Sequence, residues 1–194
     1  MRQYVLGLGP GEKRDRLRAL LALLYSTGLR RAELATATVQ SLKSHTDDQG
    51  GTHWELNVVG KGKRSRTVPI PGAVVEVLQD YFAHRFGERT LLPLSESPVP
   101  LFATLALPKR PRRPLSAWGV NQAVSDAFLD ASREIVDVRS DVARELRDAS
   151  VHWLRHTFAT HVERVPPKIL GERARIEIRK RKRGAAQFEM TYEQ

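Results

Sequence analysis

The chain has 194 residues, 41% of them hydrophobic, with 32 Lys and Arg against 22 Asp and Glu and a formal net charge of +10. That length holds one domain with a genuine core and is too short for two large ones, and a basic surplus of this size asks for a polyanionic partner, nucleic acid first among them. Cysteine is absent, which excludes disulfides, thiolate zinc sites and cysteine nucleophiles and fits a cytoplasmic protein.

In chain order, Leu17, Leu20, Leu21, Leu24 and Tyr25 recur at helical spacing and predict an amphipathic helix that Gly28 ends. The stretch is interrupted by Arg18, falls far short of the ~20 residues of a membrane span and follows no signal-peptide pattern. No membrane association is expected. A second short helix is predicted through Arg31-Ala32-Glu33-Leu34, and the polar, Gly-ended run from His45 to Gly51 reads as a loop. Two extended segments, His53 to Val59 and Arg64 to Ile70, flank Gly60-Lys61-Gly62-Lys63, whose glycines mark a hairpin turn.

Pro71 and Gly72 open a helix with Val74, Val77, Leu78, Tyr81 and Phe82 on one side, closed by Gly87. Tyr25 and Tyr81, both on apolar helix faces, are expected in the core. From Gly87 to Pro114 the chain holds six prolines and the cluster Lys109-Arg110-Pro111-Arg112-Arg113, which predicts a surface loop. Ser116 caps a helix with Val120, Ala123, Val124, Ala127 and Phe128 inward. A short charged helix around Asp141 to Asp148 follows, and Ser150 starts one that carries Val151 to His161. After Glu163 the character changes: Pro166-Pro167 breaks the helix, and Arg164 to Arg183 holds nine Lys or Arg against two Glu.

Three clusters share a theme. Thr27-Gly28-Leu29-Arg30 sets an arginine at the junction of two helices, Gly60-Lys61-Gly62 lifts a lysine to a hairpin tip, and His152 and Arg155, three apart on a helix, share a face. Together they suit a single phosphate. Separately each has an ordinary explanation: a solvated helix-end arginine, a turn lysine, a capping histidine beside a surface ion pair.

Residues from about Arg16 to His161 resemble the catalytic domain of the tyrosine recombinases, the phage integrase family. That family's pattern joins an arginine in a TGLR-x-x-EL segment, a hairpin lysine in GKG-x-K, and an H-x-L-RHTFATH helix, and all three stand here in order. Composition gives a basic tail over 164–194, altered from the family's C-terminal part, and the resemblance implies a mainly α fold with a small antiparallel β-sheet (α+β) and a catalytic domain over residues 1–163. It also implies double-stranded DNA as partner and metal-free, cofactor-free transesterification. Arg30 and Arg155 would grip the non-bridging oxygens of the scissile phosphate, Lys61 would protonate the departing 5′ hydroxyl, and His152 would orient or exchange protons at the phosphate. Lys63 and Arg64 would add DNA contacts, and Glu33 would brace the arginine segment. A tyrosine attacks in this family, and the phosphotyrosyl ester stores the bond energy for rejoining.

The family pattern departs after FATH. A histidine is wanted near residue 178 and the tyrosine near residue 187, where this chain has Ile178 and Gln187; the late tyrosine is Tyr192. The short start and the abrupt change after Glu163 read as a truncated or frame-shifted product, so defective or absent strand exchange is expected, and the family's tetramers on DNA are doubtful here. Two other functions remain open: a DNA-binding remnant or regulator without cleavage, and an RNA-binding basic protein suggested by the tail alone. A zinc protease is not supported, since Trp153 stands between His152 and His156 where that motif needs Glu. A nucleotide-binding loop fails as well, because Arg64 follows Gly62-Lys63.

Overall fold

A computed structural model of the chain describes residues 7–60, 62, 64–91 and 98–164. The chain divides into two compact units, Met1–Phe158 and Ala159–Gln194, and the contacts described below all lie within the first. Its elements are α1 (Glu12–Thr27), α2 (Arg31–Thr36), a 3-10 turn (Val39–Ser41), β1 (Leu42–Thr46), β2 (Thr52–Val59), β3 (Ser65–Ile70), α3 (Gly72–Phe86), α4 (Ala117–Ile135), α5 (Ser140–Asp148) and α6 (Val151–Arg164). The architecture is mainly helical with one antiparallel sheet in the order β1-β2-β3, as the sequence predicts.

Sheet register follows from burial. Leu56 lies opposite Leu42 on one side and Val68 on the other, and these three are buried together with Val58 and Ile70. The period-2 alternation of β2 and β3 therefore turns one face to the helices. β1 is a strand that the sequence does not announce: His45 and Thr46 belong to it, and only Asp47 to Gly51 form the turn. Of its five residues only Leu42 is buried, so this edge strand shows no alternation to read.

Helix α1 packs on α3 and on β3, while α4 holds α5 and α2. The predicted inner faces of α3 and α4 are the observed ones, and the Ser116 hydroxyl accepts a hydrogen bond from the Gly119 N–H at 3.0 Å as the cap of α4. Tyr81 is fully buried but Tyr25 is exposed, which corrects the expectation for the latter. Ala19 and Leu23 are buried too, so the buried arc of α1 centres on Leu20 and Tyr25 lies past its edge.

The segment expected as a surface loop is partly core. Leu91, Leu101, Phe102 and Ala103 are buried, and the Phe102 ring stacks on Tyr81 with centroids 5.4 Å apart. Arginines from two helices secure it. Arg85 Nη1 donates to the carbonyls of Pro100 and Leu101 at 2.6 and 3.0 Å, and Arg16 Nη1 donates to that of Ala103 at 3.0 Å. Apolar runs this short carry no periodicity, and the surrounding prolines mask them.

Candidate functional site

The site begins where α1 stops. The Gly28 N–H donates to the Leu24 carbonyl at 2.9 Å, and Gly28 takes the left-handed conformation, φ 57°, which closes helices and favours glycine. A side chain has no room either: a Cβ here would run into the ring of Phe158. Gly28→Ala is therefore expected to cost about 2–4 kcal/mol, from backbone strain together with overpacking against the ring. A urea-unfolding midpoint equal to that of the wild type would refute this.

Two residues on, Arg30 is the N-cap of α2, with extended backbone at φ −76° and ψ 148°. Its N–H donates to Glu33 Oε2 at 2.8 Å, a three-residue reach of the capping type, and its Nη1 faces Glu33 Oε1 at 3.2 Å. A third bond comes from the sheet: Arg66 Nη2 donates to Glu33 Oε2 at 2.6 Å. Burial alone would raise the Glu33 pKa, but the Arg30 N–H and the Arg66 guanidinium outweigh it and hold the carboxyl below its ordinary value. Glu33 is thus an ionised carboxylate at 2% exposure, tying α2 to β3, while the Arg30 side chain stays 55% exposed.

The hairpin base meets the same carboxylate. The Gly60 N–H donates to the Arg64 carbonyl at 2.8 Å, and a Cβ on Gly60 would come within 3.3 Å of Glu33 Oε1. Lys61 and Lys63 lie outside the described residues. Arg64, exposed at the start of the return strand, stands beside this turn.

Helix α6 supplies the remaining groups. Its first turn is closed by the Leu154 N–H donating to the Ser150 carbonyl at 3.2 Å, the position predicted for the helix start. Arg155 Nη1 donates to the Gly28 carbonyl, a residue 127 positions earlier. Burial, then the neighbouring charges of Arg30 and Arg66, push the Arg155 pKa down, and Glu33 opposes them. Arginine stays charged throughout, and Arg30, Glu33 and Arg66 are the charges within electrostatic reach of it. His152 and His156 are both exposed, their Nε2 atoms 2.8 Å apart, and burial, His156 and Arg155 lower the His152 pKa.

The structure thus brings Arg30 and Arg155 to one place around Gly28 and Glu33, with His152 one turn before Arg155 and the hairpin base beside them. Arg66 was not singled out by the sequence, although a signal exists: it shares the inward period with Val68 and Ile70 on β3. Among the described residues, no group of three or more His, Cys, Asp or Glu side chains converges to hold a metal ion, and no helix is long and apolar enough to cross a membrane. Paired guanidiniums of this kind suit an anion carrying two free oxygens.

The profile of the phage integrase family matches residues 10–167. The chain is 31% identical over 145 residues to tyrosine recombinase XerC of Pelobacter propionicus, covering 75% of this chain and 38% of that protein. It is 33% identical over 152 residues to tyrosine recombinase XerD of Xanthomonas campestris pv. campestris, covering 75% and 39%. The chain therefore spans well under half the length of these curated relatives. In structure it is similar to the XerH site-specific recombinase bound to a palindromic difH substrate in a post-cleavage complex, with a TM-score of 0.53, 20% identity, and coverage of 82% of this chain and 38% of that one.

Proposed function

Because this chain belongs to the phage integrase family, the tyrosine recombinases, we propose that it acts on double-stranded DNA, with Arg30 and Arg155 holding a scissile phosphate for strand cleavage and rejoining. The observation that carries the reading is the convergence of these two guanidiniums from opposite ends of the domain's sequence, anchored through the Gly28 carbonyl and the Glu33 carboxylate. Two guanidinium cations in electrostatic reach of each other repel, and an anion placed between them relieves the repulsion. A phosphodiester on the way to a five-coordinate transition state gathers charge on its non-bridging oxygens, which planar donors match.

In this reading His152 orients or exchanges a proton at the phosphate, and Lys61 on the hairpin protonates the departing 5′ hydroxyl. Lys63 and Arg64 contact the backbone beside it. Tyr192 is the candidate nucleophile; it lies outside the described residues. Attack by its hydroxyl would form a phosphotyrosyl ester and release the 5′ hydroxyl, and the reverse attack would rejoin the strand with no nucleotide consumed.

A second reading, DNA binding without cleavage, is favoured by the sequence after Glu163, where Ile178 and Gln187 occupy the positions of the family's late histidine and tyrosine. Trapping on a nicked suicide duplex separates the two. A covalent adduct that forms with the wild type and is lost in Tyr192→Phe is expected of a working recombinase with that nucleophile. No adduct, alongside binding that weakens linearly with the logarithm of salt, indicates binding alone. A flat salt profile with no adduct overturns both readings.

A further inference from the structure

We infer that Arg66 is a positioning residue: resting on the phosphate-binding reading, its guanidinium occupies Glu33 and so keeps Arg30 available to a DNA phosphate. The distances carry this division of labour. Glu33 Oε2 takes the two short bonds, from the Arg30 N–H at 2.8 Å and from Arg66 Nη2 at 2.6 Å. The Arg30 side chain is left with Oε1 at 3.2 Å, outside the roughly 2.7–2.9 Å of a strong charge-assisted bond. Exposure divides the same way. The Arg66 side chain is 18% exposed, against 55% for Arg30, so Arg66 faces the carboxylate while Arg30 divides itself between the carboxylate and solvent.

A buried carboxylate needs a compensating cation. With Arg66 gone, the mobile cation nearest Glu33 is Arg30, four atoms of side chain from its own capped backbone. Its guanidinium closes on the vacated Oε2 and turns from the solvent side, where a phosphate would meet it. Arg66 therefore acts on DNA through Arg30, without a contact of its own. The inward period of β3 explains why an arginine sits there at all: Arg66 points with Val68 and Ile70 toward the helices, onto the one buried carboxylate in reach among the described residues of α2.

The experiment measures affinity for a nonspecific duplex as a function of salt, with near-UV circular dichroism and urea midpoints recorded for every protein. Each phosphate contact adds about 0.9 to the slope of log K against log salt, which is about fivefold in affinity near 0.15 M. Arg66→Gln is expected to lose one such contact, as Arg30→Ala does. Adding Glu33→Gln to Arg66→Gln is expected to restore the wild-type slope, because the neutral amide still accepts the Arg30 N–H and no longer draws in its guanidinium. Arg66→Lys keeps a cation on Glu33 and is expected at the wild-type slope.

A folded Arg66→Gln protein with the wild-type slope overturns the proposal, and so does a double variant with the reduced slope, which would mean that Arg66 itself touches DNA. If Arg66→Gln is too unstable to assay, Arg66→Lys and the double variant decide: a reduced slope in either, with the fold intact, overturns it. The underlying reading fails separately, if Arg30→Ala binds duplex with an unchanged slope.

Discussion

Glu33→Ala is expected to destabilise the protein by about 3–5 kcal/mol, the effect of removing one partner from a buried ion pair and leaving the other uncompensated. Three donors lose their acceptor at once: the Arg30 N–H, the Arg30 guanidinium and the Arg66 guanidinium. The first of these also caps α2, so the helix that presents Arg30 frays at the end where it matters. The same carboxylate imposes a pH dependence. Its folded pKa lies below the ordinary glutamate value of 4.5, so its contribution is fully present above that value and is lost as pH falls through the lower, folded one. Asp15, 2% exposed and held below its ordinary pKa despite burial by Arg14 and Arg18, titrates in the same sense. The difference between wild type and variant isolates Glu33: the gap in urea-unfolding free energy is expected to be wide at pH 7 and to narrow below about pH 4. A gap that stays constant down to pH 2, or a loss under 1 kcal/mol at pH 7, would show that the brace contributes little.

For the chemistry, Arg155→Lys is expected to slow covalent adduct formation by about 10²- to 10³-fold, the usual loss when one preorganised donor to a transition-state oxygen is removed. Arg155 already spends one nitrogen, Nη1, on the Gly28 carbonyl, and a guanidinium has further N–H donors besides. Lysine keeps the charge but presents a single mobile point that cannot hold the carbonyl and the phosphate together. Single-turnover trapping on the nicked duplex, with unfolding midpoints measured in parallel, separates lost chemistry from lost fold. A wild-type rate in Arg155→Lys would remove Arg155 from the phosphate site. In a chain that binds without cutting, the substitution is read instead as a reduced salt slope.

Both effects depend on a place where distant segments meet, and the sequence exposed these segments unequally. Arg30, Lys61, His152 and Arg155 stood out because each lies in a short run with a local reason to be prominent: a helix junction, a glycine-flanked turn, one face of a helix. Arg66 stood in the run Lys63-Arg64-Ser65-Arg66 and looked like one more surface cation. Only its alignment with Val68 and Ile70 betrayed an inward side chain, and an arginine drawn out of solvent needs an acceptor. Phe158 likewise reads as an ordinary apolar residue of α6, and nothing local says that its ring rests on Gly28.

The same contrast runs through the fold. Helices α1, α3 and α4 and the β2–β3 hairpin were legible because a repeating face of apolar residues marks an element over its whole length. β1 has one buried residue in five, and Leu101-Phe102-Ala103 is too short to show a period, so neither could be recognised before its partners were in place. Burial of that run depends on Tyr81, Arg16 and Arg85, which come from other helices.

What the sequence alone determined is the inventory and its local setting: a basic, cysteine-free chain, mainly helical with a small sheet, with its family's arginines, hairpin and histidine in order. Periodicity, caps and glycines act within a few residues of themselves, and all of these follow from such neighbours. Tertiary structure alone decided that Arg155 rests on the Gly28 carbonyl, that Phe158 leaves no room for a side chain there, and that Glu33 takes its short side-chain bond from Arg66 and its looser one from Arg30. Those are contacts between segments far apart in the chain, fixed by how helices and sheet pack around one core, and packing is a property of the whole fold that no local pattern encodes.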